Sequence, residues 1–313
     1  MLPFHFRFQR STLLPIGYAW FGAMHTRMDL VVAGPAEELQ REVLLQVHAR
    51  VMWLDGLLNR FAAGSEVTKV NAMAASDAVA IGSELYDLLG YAQQAYEKTE
   101  GLFDITIQSG METGHRPAGG EKPRPETGHT DAAPYASSNT FSNHALPLNP
   151  RAIVLTKNPY RVHFLHPGLQ IDLGGLAKGY TVDQVRKILD DAQVRHYLIS
   201  FGNSSIAAKG DRPGAPQADP SVKTRTESPD PGSYAEDAPA RAGWHIALRN
   251  GSAGFRLIDE CLTVSGNETQ PGGHIIDPRT RTVAHNRLYA VKTATALEGE
   301  VQSTVGFLLN AER

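Results

Sequence analysis

Apolar residues recur at helical spacing over 37–58, where Leu39, Val43, Leu44, Val47, Val51, Leu54 and Leu58 predict one buried face. A second such stretch covers 83–99, with Leu85, Leu88, Leu89, Ala92, Ala95 and Tyr96 on one side. A third follows Gly174-Gly175 and carries Val185, Ile188, Leu189 and Ala192; a closing helix carries Val301, Thr304, Val305, Leu308 and Leu309. Shorter apolar runs between turn residues predict strands at 28–33, 152–155, 161–165, 169–173, 197–200 and 205–208. Further strands are expected around 244–249, 262–265, 274–276 and 288–292. The stretch 11–24 holds Pro15 and Gly17 and reads as a loop running into the first strand. Strands and helices come in groups and do not alternate strictly, which predicts an α+β fold.

Two segments break this patterning. Residues 109–150 and 211–243 are dense in Gly, Pro, Ser, Thr and charged residues and show no period. They read as mostly mobile surface insertions in one domain spanning 18–313. The 30 Lys and Arg against 33 Asp and Glu give a net charge of −3, so no basic surface points to nucleic acid. The single cysteine, Cys261, excludes an intrachain disulfide framework and a cysteine-rich zinc site. No run is long and apolar enough to span a bilayer, which takes about 20 residues. Arg7 and Arg10 ahead of 11–24 give a faint likeness to a signal peptide, but no cysteine follows to accept a lipid. The expectation is a cytoplasmic chain, with periplasmic or membrane-associated placement left open.

Four short segments carry candidate chemistry. In Ile171-Asp172-Leu173-Gly174-Gly175-Leu176-Ala177-Lys178, a strand ends in a carboxylate, two glycines let the backbone approach a ligand, and a helix begins. Lys178 adds a charge suited to phosphate. The same residues also make an ordinary strand-to-helix turn. His274, in His274-Ile275-Ile276-Asp277-Pro278, is a candidate general base or the polar end of a strand edge. In Thr99-Glu100-Gly101-Leu102-Phe103-Asp104, Gly101 stops a helix, and Asp104 either meets a ligand or caps the next turn. Glu300 and Thr304 are four apart on one helix face, where two oxygens suit Mg²⁺ or simply line a helix turn.

The order of these segments is more telling than any one of them. Met24-His25-Thr26 comes first, then SEVTKVN at 65–71 and TEGLFDIT at 99–106. IDLGGLAKGYTVDQV at 171–185, SGN at 265–267, HIIDP at 274–278 and EVQST at 300–304 follow. In this the chain resembles the ApbE family, the FAD:protein FMN transferases, over about residues 22–309. The resemblance implies an ApbE-like, T-fold-like α+β fold with a flavin cleft between two pseudo-repeated halves. It implies FAD as substrate, Mg²⁺ as cofactor, and a target protein whose Thr or Ser hydroxyl takes FMN while AMP leaves. On matched positions, Met24 would line the flavin pocket, and Phe61 would stack on a flavin or adenine ring. Leu102, Phe103 and Asp104 would meet the nucleotide, and Asp172 and Lys178 would contact FAD. The Gly175 carbonyl with the Glu300 and Thr304 side chains would hold Mg²⁺. His274 would deprotonate the acceptor hydroxyl or help position the phosphate.

Several positions depart from the family's usual residues. His25 stands for a glycine, Gly202-Asn203 for Gly-Gly, and Glu300 for an aspartate. Val301, Gln302 and Ser303 replace alanine-rich surroundings, and Glu268-Thr269 follow Asn267 without an aromatic. The chain ends at Arg313, where members usually continue. Two alternatives therefore stand beside transfer: an FAD pyrophosphatase giving FMN and AMP, and a flavin-binding protein with impaired catalysis.

Overall fold

The structure, a computed structural model, describes residues 3–11, 14–107, 109, 149–214, 242–247, 254–267, 273–286 and 288–310. In the first part of the chain, β1 (His5–Gln9), β2 (Ile16–Ala23), β3 (Thr26–Ala33), α1 (Glu37–Leu58), α2 (Glu66–Met73), β4 (Val79–Ala80) and α3 (Ser83–Lys98) follow one another. Then come β5 (Ile153–Thr156), β6 (Arg161–Phe164), α4 (Gly174–Asp191), β7 (His196–Phe201) and β8 (Ser205–Lys209). The last part holds β9 (Trp244–Ala247), β10 (Gly254–Leu257), β11 (Cys261–Ser265), β12 (Ile276–Asp277), β13 (Thr282–Val283), β14 (Tyr289–Thr293) and α5 (Ala296–Leu309).

An antiparallel sheet in the order β1-β2-β3-β7-β8-β11-β14 forms the frame. Alternation along its strands sends Phe21, Met28, Leu30, Tyr197, Ile199 and Phe201 to one face. There they pack on Val43, Leu44, Val47 and Val51 of α1 and on Val182, Val185 and Leu189 of α4. The opposite face is covered beside β8 and β11 by the β9–β10 hairpin, through Trp244 and Leu257. A second core gathers the α3 leucines, Val162 and Phe164 of β6, and Leu54 and Leu58 from the end of α1. Leu44 and Leu54 are fully buried, and each contributes roughly 2 kcal/mol of transfer free energy. Leu176 at the start of α4 belongs to this second core, so α1 and α4 both run from one core into the other. Met24 packs against both.

Four local expectations are corrected. The loop expected over 11–24 contains strand β2, paired residue for residue with β3 from Ile16↔Ala33 to Ala23↔Thr26. Residues 169–173 form no strand. Their backbone is held instead by Asn71, whose amide bonds both the Ile171 N–H (2.7 Å) and its carbonyl (2.9 Å), by Ser109 at Gln170, and by the Ile105 carbonyl at the Asp172 N–H. Side chains thus take the places of a neighbouring strand. Gly174-Gly175 is the first turn of α4 and not a bend ahead of it. The expected 274–276 strand is the two-residue β12, which begins only at Ile276. The insertions at 109–150 and 211–243 lie outside the described residues except for 109, 149–150, 211–214 and 242–243.

Candidate functional site

The site is organised by the first two turns of α4. Just before the helix, Asp172 Oδ1 accepts the Gly174 N–H (2.9 Å) while Oδ2 pairs with the Arg60 guanidinium (3.3 Å). Arg60 in turn lies over the Phe61 ring, 4.7 Å from its centre, and the His25 ring meets Phe61 edge-on at 6.1 Å. Phe61 is 71% exposed, which makes it the most open large apolar side chain among the described residues. Across the helix start, Phe103 is buried, with its ring against Gly175. Gly101, at φ +86°, takes its N–H back to the Tyr96 carbonyl and ends α3, so Phe103 turns inward while Leu102 stays half-buried. Asp104 Oδ1 accepts the Thr106 N–H (2.7 Å) and hydroxyl (2.6 Å), a local Asx turn. Burial pushes its carboxyl pKa up, and these two hydrogen bonds work against that shift.

One turn further along α4 the surroundings become polar and closed. Lys178 donates to the Ser204 hydroxyl (2.6 Å). Glu300 is 5% exposed and accepts the hydroxyl of Ser205 on β8 and a backbone hydrogen bond from Gly179. Burial raises its pKa, opposed by the Lys178 charge and then by those two donors. Gly179 is required by packing: a Cβ there would lie 2.5 Å from both the Ala296 carbonyl and Glu300 Cγ. Four residues on, the Asp183 carboxylate caps α5 by accepting the Ala296 and Leu297 N–H groups at 2.9 Å. These contacts make α4 and α5 antiparallel, so by register Gly175 falls alongside the turn from Glu300 to Thr304. Among the described residues no three His, Cys, Asp or Glu side chains converge. A cation here would therefore rest on one carboxylate with hydroxyl and carbonyl oxygens.

His274 is not part of a strand. Its backbone N–H is held by Asn267 Oδ1 (3.0 Å), and the Asn267 amide also donates to the Ala284 carbonyl (2.6 Å). His274 presents an exposed surface, yet enough protein surrounds its ring that burial, and then the Lys178 charge, push its pKa below the ordinary value. At the β2–β3 turn both Met24 (φ +48°) and His25 (φ +59°) are left-handed, as a two-residue hairpin turn demands. The His25 side chain points to the surface beside Phe61, while the Thr181 hydroxyl lies 3.8 Å from the Met24 sulfur.

The fold thus gathers Phe61, Phe103, Asp172 and Gly175 at the start of α4, and Lys178, Glu300 and His274 around a shared electrostatic field. Asp104 spends one oxygen on its own turn. Sequence reasoning missed Arg60, Ser204 and Ser205. Arg60 has no periodic signal, although it precedes the aromatic singled out. The two serines directly follow the Gly202-Asn203 turn, and hydroxyls placed after such a turn are the one signal that pointed to them.

A sequence model described as the ApbE family matches residues 24–313. An FAD:protein FMN transferase of Klebsiella pneumoniae (strain 342) is 26% identical over 180 residues, 52% of this chain and 46% of that protein. The chain thus spans less than half the length of that relative. A second FAD:protein FMN transferase match from the same organism is 23% identical over 294 residues, covering 89% of this chain and 73% of the relative. The crystal structure of the Pseudomonas stutzeri flavinyl transferase ApbE, apo form, superposes with a TM-score of 0.69 at 18% identity, over 96% of this chain and 88% of that one. No described helix is long and apolar enough to cross a membrane. The chain belongs to the ApbE family.

Proposed function

We propose that this chain transfers FMN from FAD to a threonine or serine hydroxyl of a target protein and releases AMP. The observation that carries the reading is the convergence of His274, Lys178 and Glu300 one turn beyond the aromatic and charged mouth at the start of α4. The names of the two Klebsiella relatives support it. In the reaction the acceptor oxygen bonds to the FMN phosphorus, the pyrophosphate P–O bond breaks, and AMP carries away the bonding pair. His274 takes the hydroxyl proton; its lowered pKa keeps the imidazole neutral, and so able to accept, at neutral pH. Lys178 stabilises charge developing on the phosphate oxygens. Phe61 offers a face for a planar ring, Met24 lines the seam between the two cores, and Leu102, Phe103, Asp104 and Asp172 hold the nucleotide's polar and apolar edges.

The donor set fits a hard cation. Glu300 is a buried carboxylate, and Gly175 on α4 and Thr304 on α5 supply a carbonyl and a hydroxyl of the hard-oxygen kind that Mg²⁺ takes. Those three groups would hold Mg²⁺, which would neutralise pyrophosphate charge.

The test incubates protein, FAD, Mg²⁺ and a threonine-containing acceptor protein, then reads protein-bound flavin fluorescence on a denaturing gel and AMP in solution. Labelled acceptor is expected. His274→Ala should lose labelling by about 10²–10⁴-fold, the usual span for removing a general base, with FAD affinity changed far less. AMP release without labelling would replace transfer by hydrolysis, and FAD binding without AMP release would replace it by a carrier role.

A further inference from the structure

Arg60 stands apart from the other arginines near the site because its side chain is 10% exposed while the next residue is the most open aromatic described. Its guanidinium spans two elements. On one side it covers the Phe61 ring at 4.7 Å, and on the other it pairs with Asp172 at 3.3 Å, two residues before α4. The backbone beneath is fixed independently. The Phe61 N–H donates to Asn59 Oδ1 (2.9 Å), and the Thr68 hydroxyl lies 3.0 Å from both the Arg60 and Ala62 carbonyls. Ser65 caps α2 by accepting the Thr68 N–H (2.9 Å), which holds Thr68 in place. What the backbone leaves undetermined is the direction of the Phe61 ring, since so open a side chain has little packing to choose its rotamer.

We propose that Arg60 is a positioning residue for the flavin nucleotide: by bridging the Phe61 ring and the Asp172 carboxylate, it ties the loop after α1 to the start of α4 and holds Phe61 as a fixed stacking platform. This rests on the reading of the site as a flavin nucleotide site. The guanidinium suits the task because it is planar, stacks on an aromatic face and keeps hydrogen-bond donors at its edge for a carboxylate. An ammonium at this position would keep the charge and lose the stacked face. The arrangement fits a ligand with a planar ring system beside an anionic chain: the ring would meet Phe61, and the α4 N-terminus would attract the negative groups.

The experiment titrates the full chain with FAD, FMN and ADP as separate probes, reading flavin fluorescence or calorimetric heat. It compares wild type, Arg60→Ala, Arg60→Lys, Phe61→Ala and the Arg60→Ala/Phe61→Ala double variant. Arg60→Ala and Phe61→Ala should each weaken FAD binding about tenfold, and the double variant should bind little worse than either, because contacting residues are not additive. Arg60→Lys should recover only a small part of the loss. In the single variants the loss should fall more on KM for FAD than on kcat for AMP release. Wild-type affinity in Arg60→Lys, or losses that multiply in the double variant, would overturn the proposal. If Arg60→Ala does not fold, Arg60→Lys and Phe61→Ala still decide the matter. Absence of FAD binding by wild type would instead overturn the flavin reading itself.

Discussion

At the mouth of the site Phe61 is 71% exposed, and at its far end Glu300 is 5% exposed, yet both depend on the same two turns of α4. The mouth is assembled by long side chains reaching across from loops: Arg60 to Asp172, and His25 to Phe61. The far end is assembled by close helix packing, with Gly179 pressed on α5 and Glu300 reaching β8. The open Phe61 ring at the mouth contributes little to stability, so it is answerable mainly to the ligand. A closed end must satisfy every polar atom it buries, so its residues answer to fold and chemistry together.

That difference predicts where mutations act. Gly179→Ala should have the largest effect on the fold, since its methyl has no room between Ala296 and Glu300; urea unfolding should show a loss of about 3 kcal/mol, at the upper end for overpacking. Full stability in that variant would mean that α4 and α5 are not in close contact there. The Glu300 variants come next. Glu300→Asp shortens the reach to β8 and leaves the Ser205 hydroxyl unpaired, costing about 1–3 kcal/mol, while AMP release is kept or raised. Glu300→Gln should abolish AMP release and leave much of the FAD binding. Equal loss of activity in both variants would assign Glu300 a structural role alone.

A third measurement concerns charge between the two regions. In an NMR titration the His274 ring should have its midpoint below the ordinary value of about 6.5, because burial and then Lys178 disfavour the imidazolium. Lys178→Gln should raise that midpoint part of the way; no movement would separate the two groups. The folded state then binds fewer protons than the unfolded one below about pH 6.5, so this histidine's contribution to stability is lost as pH falls through that window. His48, lowered by burial beside Phe4 and Phe21, acts in the same direction. The smallest expected effect on stability is at the mouth: Phe61→Ala should change unfolding free energy by no more than about 0.5 kcal/mol while weakening FAD binding. A large stability loss would show that the aromatic is part of the core and not a platform.

Helices α1, α3, α4 and α5 were legible because each buries one face for several turns, whereas the eight-residue α2 was not, since it buries only Val67 and Val70. The apolar period over 37–58 corresponds to α1 at both ends, and the Gly101 stop was readable from glycine's access to positive φ. Strand β2 was not legible, because Pro15 and Gly17 mask the alternation that its pairing with β3 reveals. The run 169–173 has a strand's composition but its hydrogen bonds go to Asn71, Ser109 and Ile105, partners up to 100 residues away. Leu102, Phe103, Asp104, Asp172, Lys178 and His274 were all quoted from short motifs. Which of them share a surface, and that Arg60, Ser204 and Ser205 join them, was decided only by tertiary structure. The sequence by itself determined the amphipathic helices, the α+β class and the family, since these rest on periodicity and on residue order within short spans. Only the tertiary structure decided that Glu300 is buried against Ser205, that Lys178 acts on both His274 and Glu300, and that Arg60 joins Phe61 to Asp172. Those depend on helix crossing and loop closure between segments distant in the chain, for which local spacing carries no signal.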